Sequence, residues 1–178
     1  MDKLCRLMCP DLSQLINPLC LAREGECLNG QFSLKEFQRL EALLSDDLGE
    51  LVYNLNFSVD AKGICCIGGE LKATVNVICQ RCLEPMQIEV NHTVSLGIVR
   101  DMAEATRLAP EYEPLVLAEE TLSLIELVEN ELILALPFST THAAGNCPGS
   151  DILAQINHNQ IQSPFAILAR LKPHKYIK

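Results

Sequence analysis

The chain has 178 residues, 48% hydrophobic and 21% charged, with 14 Lys and Arg against 23 Asp and Glu for a net charge of −9. That balance points to one globular domain and excludes disorder throughout, while three Tyr, five Phe and no Trp leave aliphatic side chains to fill the core. The longest apolar stretch, residues 132–138, contains Pro137 and is far shorter than the roughly 20 residues of a membrane-crossing helix. Asp2, Asp11, Asn17 and Pro18 interrupt any secretory apolar segment, so the expected location is the cytoplasm, with no membrane partner. Nine cysteines, an odd count without an export signal, read as reduced thiols or metal ligands rather than a disulfide framework.

Residues 1–32 hold Cys5, Cys9, Cys20 and Cys27 without a sustained period and are read as a short strand plus loop. At Ser33 a helix is expected: Ser33 and Glu36 stand in capping-box spacing, and Leu34, Phe37, Leu40, Leu43 and Leu44 recur at helical intervals. The period then becomes two. Leu51, Tyr53, Leu55, Phe57 and Val59 share one face of a strand; Lys62-Gly63 and Gly68-Gly69 supply turns; Leu71, Ala73, Val75 and Val77 mark a second strand. Met86, Ile88, Val90, Val94, Leu96 and Ile98 mark a third, so these strands predict an antiparallel meander with one wet face.

Two prolines in Pro110-Glu111-Tyr112-Glu113-Pro114 force an extended path. Ser123 and Glu126 then open an apolar helix, limited by Pro137, that packs on the sheet. The fold class is therefore α+β: an antiparallel β-meander, a central apolar helix packed on it and a short helical C-terminal region. Residues 1–158 are read as one domain, its first 32 residues poorly legible, and residues 159–178 as a basic tail.

Charge is segregated. Residues 101–131 carry nine acids and one base, whereas residues 159–178 carry Arg170, Lys172, Lys175 and Lys178 and no acid. The tail therefore offers phosphate contacts, with Tyr176 able to stack on an unpaired base; the alternative is a solubilising terminus. The total of −9 argues against sequence-blind nucleic-acid binding by the whole surface.

The sharpest local motif is Cys79-x-x-Cys82 between two strands, a spacing that lets two thiolates converge on one tetrahedral ion. His142 and Cys147, in a loop with Gly145 and Pro148-Gly149, complete a possible Cys3His zinc site; the alternative is four unligated side chains in turns. A thioredoxin-like reading fits poorly, because Pro85 and a period-two segment follow where that arrangement needs a helix N-terminus. Cys65 and Cys66 are read as core, His92 as a satisfied core residue, and Glu131 as partly buried and paired with a base. Glu129 and Glu131, two apart on a helix, point to different sides and cannot form a catalytic pair. No phosphate-binding loop, dinucleotide fingerprint, H-E-x-x-H or G-x-S-x-G is present, which favours a binding protein over an enzyme.

Taken together, Cys79-Gln80-Arg81-Cys82, Pro110-Glu111-Tyr112-Glu113-Pro114, Val128-Glu129-Asn130-Glu131-Leu132-Ile133-Leu134-Ala135-Leu136-Pro137, His142 with Cys147, and Ser163-Pro164-Phe165-Ala166-Ile167-Leu168 with Leu171-Lys172 resemble, in order and spacing, the bacterial YceD family. These are the large ribosomal RNA subunit accumulation proteins, and the resemblance covers about residues 51–172. It implies a role in synthesis, processing or stability of large-subunit (23S) ribosomal RNA, without established catalysis, and a link to a large-subunit ribosomal protein. Combined with the segregated charge, it suggests that Glu111, Tyr112, Glu113, Glu119, Glu120 and Glu129 dock a basic ribosomal protein or assembly factor. Arg81, Arg170, Lys172, Lys175 and Lys178 would then face RNA or its precursor. The competing classes are an RNA-processing enzyme or thiol- or zinc-dependent oxidoreductase, and a protein-only adaptor.

Overall fold

Alternation from Leu51 to Phe57 dictates a strand with one dry face. A computed structural model of the protein, describing residues 6–7, 15–143, 146–150, 156, 165 and 168, places that strand within a six-stranded sheet. In spatial order the sheet runs β1 (Arg6–Leu7), β3 (Cys27–Ser33), β4 (Glu50–Val59), β5 (Cys65–Ile78), β6 (Pro85–Val99) and β7 (Glu113–Val116). The inner ladder from β3 to β6 is antiparallel; β1 and β7 each add a parallel edge. A separate antiparallel ribbon pairs β2 (Leu15–Ile16) with β8 (Leu122–Ser123). The expected α+β class and meander stand, and the parallel edges are additions that alternation does not encode.

The dry face follows the predicted parity. Leu51, Tyr53, Leu55 and Phe57 of β4, Leu71, Ala73, Val75 and Val77 of β5, and Val90, Val94, Leu96 and Ile98 of β6 are buried, whereas Val59 is exposed. Helix α3 (Leu124–Ala135) begins where Ser123 Oγ accepts the Glu126 N–H. It lays Leu124, Leu127, Val128 and Leu132 into the core. Each such aliphatic side chain contributes about 1.5–3 kcal/mol when fully buried.

Three expectations are corrected. Residues 33–44 do not form a continuous helix: two 3-10 turns, Leu34–Glu36 and Leu40–Leu43, take its place, although the Ser33/Glu36 capping box does form. The reason is tertiary. The Glu129 carboxylate accepts the backbone N–H groups of Arg39 and Leu40 at 2.7 and 3.1 Å, drawing them out of any helical ladder. Second, the stretch read as strand plus loop contains helix α1 (Pro18–Glu24) before β3. Asn17 caps it through the Cys20 N–H, Pro18 fits its first turn, and Gly25 ends it at φ 67°. Third, Gly68-Gly69 is strand rather than turn. It lies inside β5 opposite Asn56 and Leu55, where a Cβ on Gly69 would overlap the Asn54 carbonyl.

The Lys62-Gly63 turn is present, with Asp60 Oδ1 accepting from the Lys62 and Ile64 N–H groups, both at 2.8 Å. After β6, helix α2 (Met102–Ala105) and the following turn bring Leu108 and Tyr112 against Gly97. Among the described residues no helix is long and apolar enough to cross a membrane. The expected C-terminal helical region and basic tail fall almost wholly outside the described residues.

Candidate metal centre

β5 and β6 form a long ribbon with unbroken register from Cys66 opposite Gly97 to Ile78 opposite Pro85. The residues between them make the tip. The Cys79 N–H donates to the Glu84 carbonyl and the Leu83 N–H to the Cys79 carbonyl, both at 2.9 Å, with Leu83 at φ 63°. This tight closure brings Cys79 and Cys82 together. The chain leaving α3 is then bonded to the tip: the Gln80 N–H donates to the Thr140 carbonyl at 2.8 Å, Thr140 Oγ1 to the Ile78 carbonyl at 2.9 Å, and Ser139 Oγ to Gln80 Oε1 at 3.0 Å.

That stitching places His142 Nδ1 3.4 Å from Cys82 Sγ. Gly149 passes so near Cys82 that a Cβ there would lie 3.1 Å from the Cys82 Cβ, which carries Cys147 inward. One donor atom from each of Cys79, Cys82, His142 and Cys147 lies within 4.8 Å of the others. Cys79 and Cys147 are buried, Cys82 and His142 half-buried. The pair chosen from Cys-x-x-Cys spacing and the pair chosen from the turn-forming loop therefore converge.

The electrostatics favour at least one thiolate. Burial opposes ionisation of Cys79, but backbone N–H groups of Cys82, His142 and Arg81 point at its sulfur and together bring its pKa down to about 5. The Cys82 thiol is pushed up, foremost by burial and also by the adjacent Cys79 and Cys147 sulfurs, against an opposing backbone bond at Glu84. A tetrahedral zinc with about 2.3 Å bonds to sulfur needs donors about 3.8 Å apart, so a small contraction of this cluster suits it. The donor set, its shielding and the amide-stabilised sulfur all fit such an ion.

The other predicted site residues fare unevenly. Arg81 is exposed on the tip, its Nη1 donating to Ser150 Oγ at 3.4 Å. Arg170, Lys172, Lys175 and Lys178 lie outside the described residues. Glu111, Glu113, Glu119 and Glu120 are exposed. Tyr112 is half-buried and turned inward, its hydroxyl bonded to the Cys66 thiol; that bond, foremost, pushes the Tyr112 pKa up. Glu129 must be withdrawn from the docking surface: it is 5% exposed and its carboxylate is taken by Arg39 and Leu40. Glu131, also buried, pairs with Nε2 of half-buried His92 at 3.0 Å, which gives Glu131 the partner expected of it and His92 a satisfied ring, although the sequence did not pair the two.

Sequence reasoning overlooked Gln80, Ser139 and Thr140, whose polarity in turns carries no distinctive period, and Arg39 as the partner of Glu129. Arg39 stands among Lys35, Glu36, Gln38 and Glu41, so nothing in the local sequence singled it out.

The fold and tip define an α+β sheet protein with a Cys3His cluster clipping the chain after its last described helix to a hairpin. A family model described as large ribosomal RNA subunit accumulation protein YceD matches residues 67–172, and the chain belongs to that family. It is 30% identical over 149 residues to the large ribosomal RNA subunit accumulation protein YceD of Haemophilus influenzae, covering 80% of this chain and 86% of that protein. No solved structure matches.

Proposed function

We propose that the protein is a noncatalytic ribosome-biogenesis factor that supports synthesis, processing or stability of large-subunit (23S) ribosomal RNA. The observation carrying this reading is the match, over most of the chain, to a relative named for large ribosomal RNA subunit accumulation. The site is consistent with it. Glu129 and Glu131, the buried carboxylates of α3, are engaged by Arg39 and His92, which leaves them no role as a free acid–base pair.

Zinc is the ion whose donor preference best suits Cys79, Cys82, His142 and Cys147. Its part here is structural: three cysteines and a histidine complete a tetrahedral shell and hold the segment after α3 on the hairpin tip. Arg81 and the basic tail then meet RNA. The exposed Glu111, Glu113, Glu119 and Glu120 meet a basic large-subunit protein or assembly factor.

The test is sedimentation of the tagged protein, at native level, with large-subunit precursors before and after ribonuclease treatment. RNA-dependent co-sedimentation is expected, together with reduced large-subunit RNA when the protein is removed. Normal accumulation of that RNA without the protein refutes the reading. Cleavage of a precursor by the purified chain, lost on Cys79→Ser, favours an enzyme instead.

A further inference from the structure

At the ribbon end opposite the tip, a cavity of about 680 Å³ opens between α1, the β4–β5 turn, the end of β6 and the segment after α2. That volume falls within the range of small-molecule sites. Leu19, Ile98 and Leu117 give it an apolar wall. Arg23 of α1, Arg100 just beyond β6 and Arg107 in the turn after α2 line it, and all are exposed. Among the described residues none of their guanidinium groups forms an ion pair or hydrogen bond.

Three carboxylates line the same cavity. Glu104 is already engaged, its Oε2 accepting the Arg100 backbone N–H at 2.9 Å. That neutral donor leaves Glu104 its charge, so three guanidiniums stand with three carboxylates, Glu104, Glu119 and Glu120, beside an apolar wall. This combination selects among ligands. An inorganic anion or acidic peptide matches the arginines alone and leaves the carboxylates unmatched, whereas a basic peptide matches the carboxylates alone and leaves the guanidiniums unmatched. A nucleotide satisfies all three features: its phosphate matches guanidinium forks, its flat base suits the apolar wall, and an exocyclic amine donates to carboxylate.

We infer that this cavity binds a nucleotidyl group, with its phosphate on Arg23, Arg100 and Arg107 and its base on the wall formed by Leu19, Ile98 and Leu117. The source is either a free nucleotide or an unpaired residue of RNA. The inference rests on the function proposed above only for the RNA source.

The test is equilibrium binding of adenosine monophosphate and of a short single-stranded oligoadenylate to the full chain. Arg100→Gln and Arg107→Gln, at exposed positions, are each expected to weaken binding about tenfold, the loss of one charge-assisted phosphate contact. Far-ultraviolet circular dichroism should stay unchanged, and uridine monophosphate, lacking the amine, should bind more weakly than adenosine monophosphate. Mononucleotide binding identifies a free ligand, and arginine-dependent binding of the oligonucleotide alone identifies RNA; both support the site. Absence of binding by either probe, or unchanged binding in the triple Arg23→Gln, Arg100→Gln, Arg107→Gln variant, overturns it. Large-subunit RNA levels are scored separately in cells. Normal RNA without the protein, despite arginine-dependent binding in vitro, refutes the function and keeps the cavity; full support of RNA by a chain with no probe affinity refutes the cavity alone.

Discussion

Replacing Glu129 by alanine should destabilise the protein by about 3–5 kcal/mol. The carboxylate is 5% exposed and accepts three bonds from one residue pair: Arg39 N–H at 2.7 Å and Leu40 N–H at 3.1 Å on Oε1, and Arg39 Nε at 3.1 Å on Oε2. Arg39 is 56% exposed by side chain, so solvent screens its guanidinium and the ion pair contributes at most about 1 kcal/mol. The two amides dominate, because truncation leaves them without a partner at about 1–3 kcal/mol each. Glu129→Gln provides the sharper comparison. Its side-chain carbonyl can still accept both amides, so only about 1 kcal/mol should be lost, similar to Arg39→Ala. Urea unfolding of the three variants measures the series, and the alanine variant should also melt about 10 °C lower. An alanine variant within about 1 kcal/mol of the parent, or a glutamine variant as damaged as alanine, refutes the view that this carboxylate replaces a helical ladder in residues 33–44.

Purified protein should hold one zinc per chain by elemental analysis; Cys79→Ser or His142→Ala should lower the ratio, and chelation should speed proteolysis at residues 138–150. Gly69→Val should cost about 3 kcal/mol or more in denaturant unfolding, because its Cβ meets the Asn54 carbonyl and φ is 154°. Burial, foremost, pushes the Cys66 pKa above 9.0, and a folded value above the unfolded one gives stability that is full below pH 9 and lost as pH rises through the folded value. The alkaline fall in melting temperature should therefore be shallower in Cys66→Ala than in the parent.

The β4–β5–β6 meander and α3 were legible because period-two and period-3.6 patterns survive wherever one face is buried. α1 escaped because seven residues are too few to display a period, although Asn17, Pro18 and Gly25 marked both ends. Residues 33–44 show the converse: capping and apolar spacing were right, yet a carboxylate some 90 positions later decides their backbone. Parallel pairing of β7 with β6 spans a shorter separation, Leu96 opposite Glu113, but is likewise set by tertiary packing and not by local pattern. At the tip, Cys-x-x-Cys spacing named Cys79 and Cys82, and turn residues in their loop brought in His142 and Cys147, whereas the hydrogen bonds that converge them involve ordinary Gln, Ser and Thr residues. The arginine-lined cavity assembles from positions 23, 100 and 107, a convergence only the fold creates.

The β5–β6 ribbon also acts as a spacer of set length. Its 14-residue strand spans about 45 Å at about 3.3 Å per residue, with the cysteine cluster at one end and the arginine cavity at the other. No mononucleotide bridges that span, so a partner touching both ends must itself be an extended strand or a particle. The interval is also quantised. Removing one residue from each strand turns the intervening side chains to the opposite face, whereas removing two from each keeps every face and shortens the gap by about 7 Å. A graded series of such paired deletions would convert any cooperation between the two ends into a length measurement.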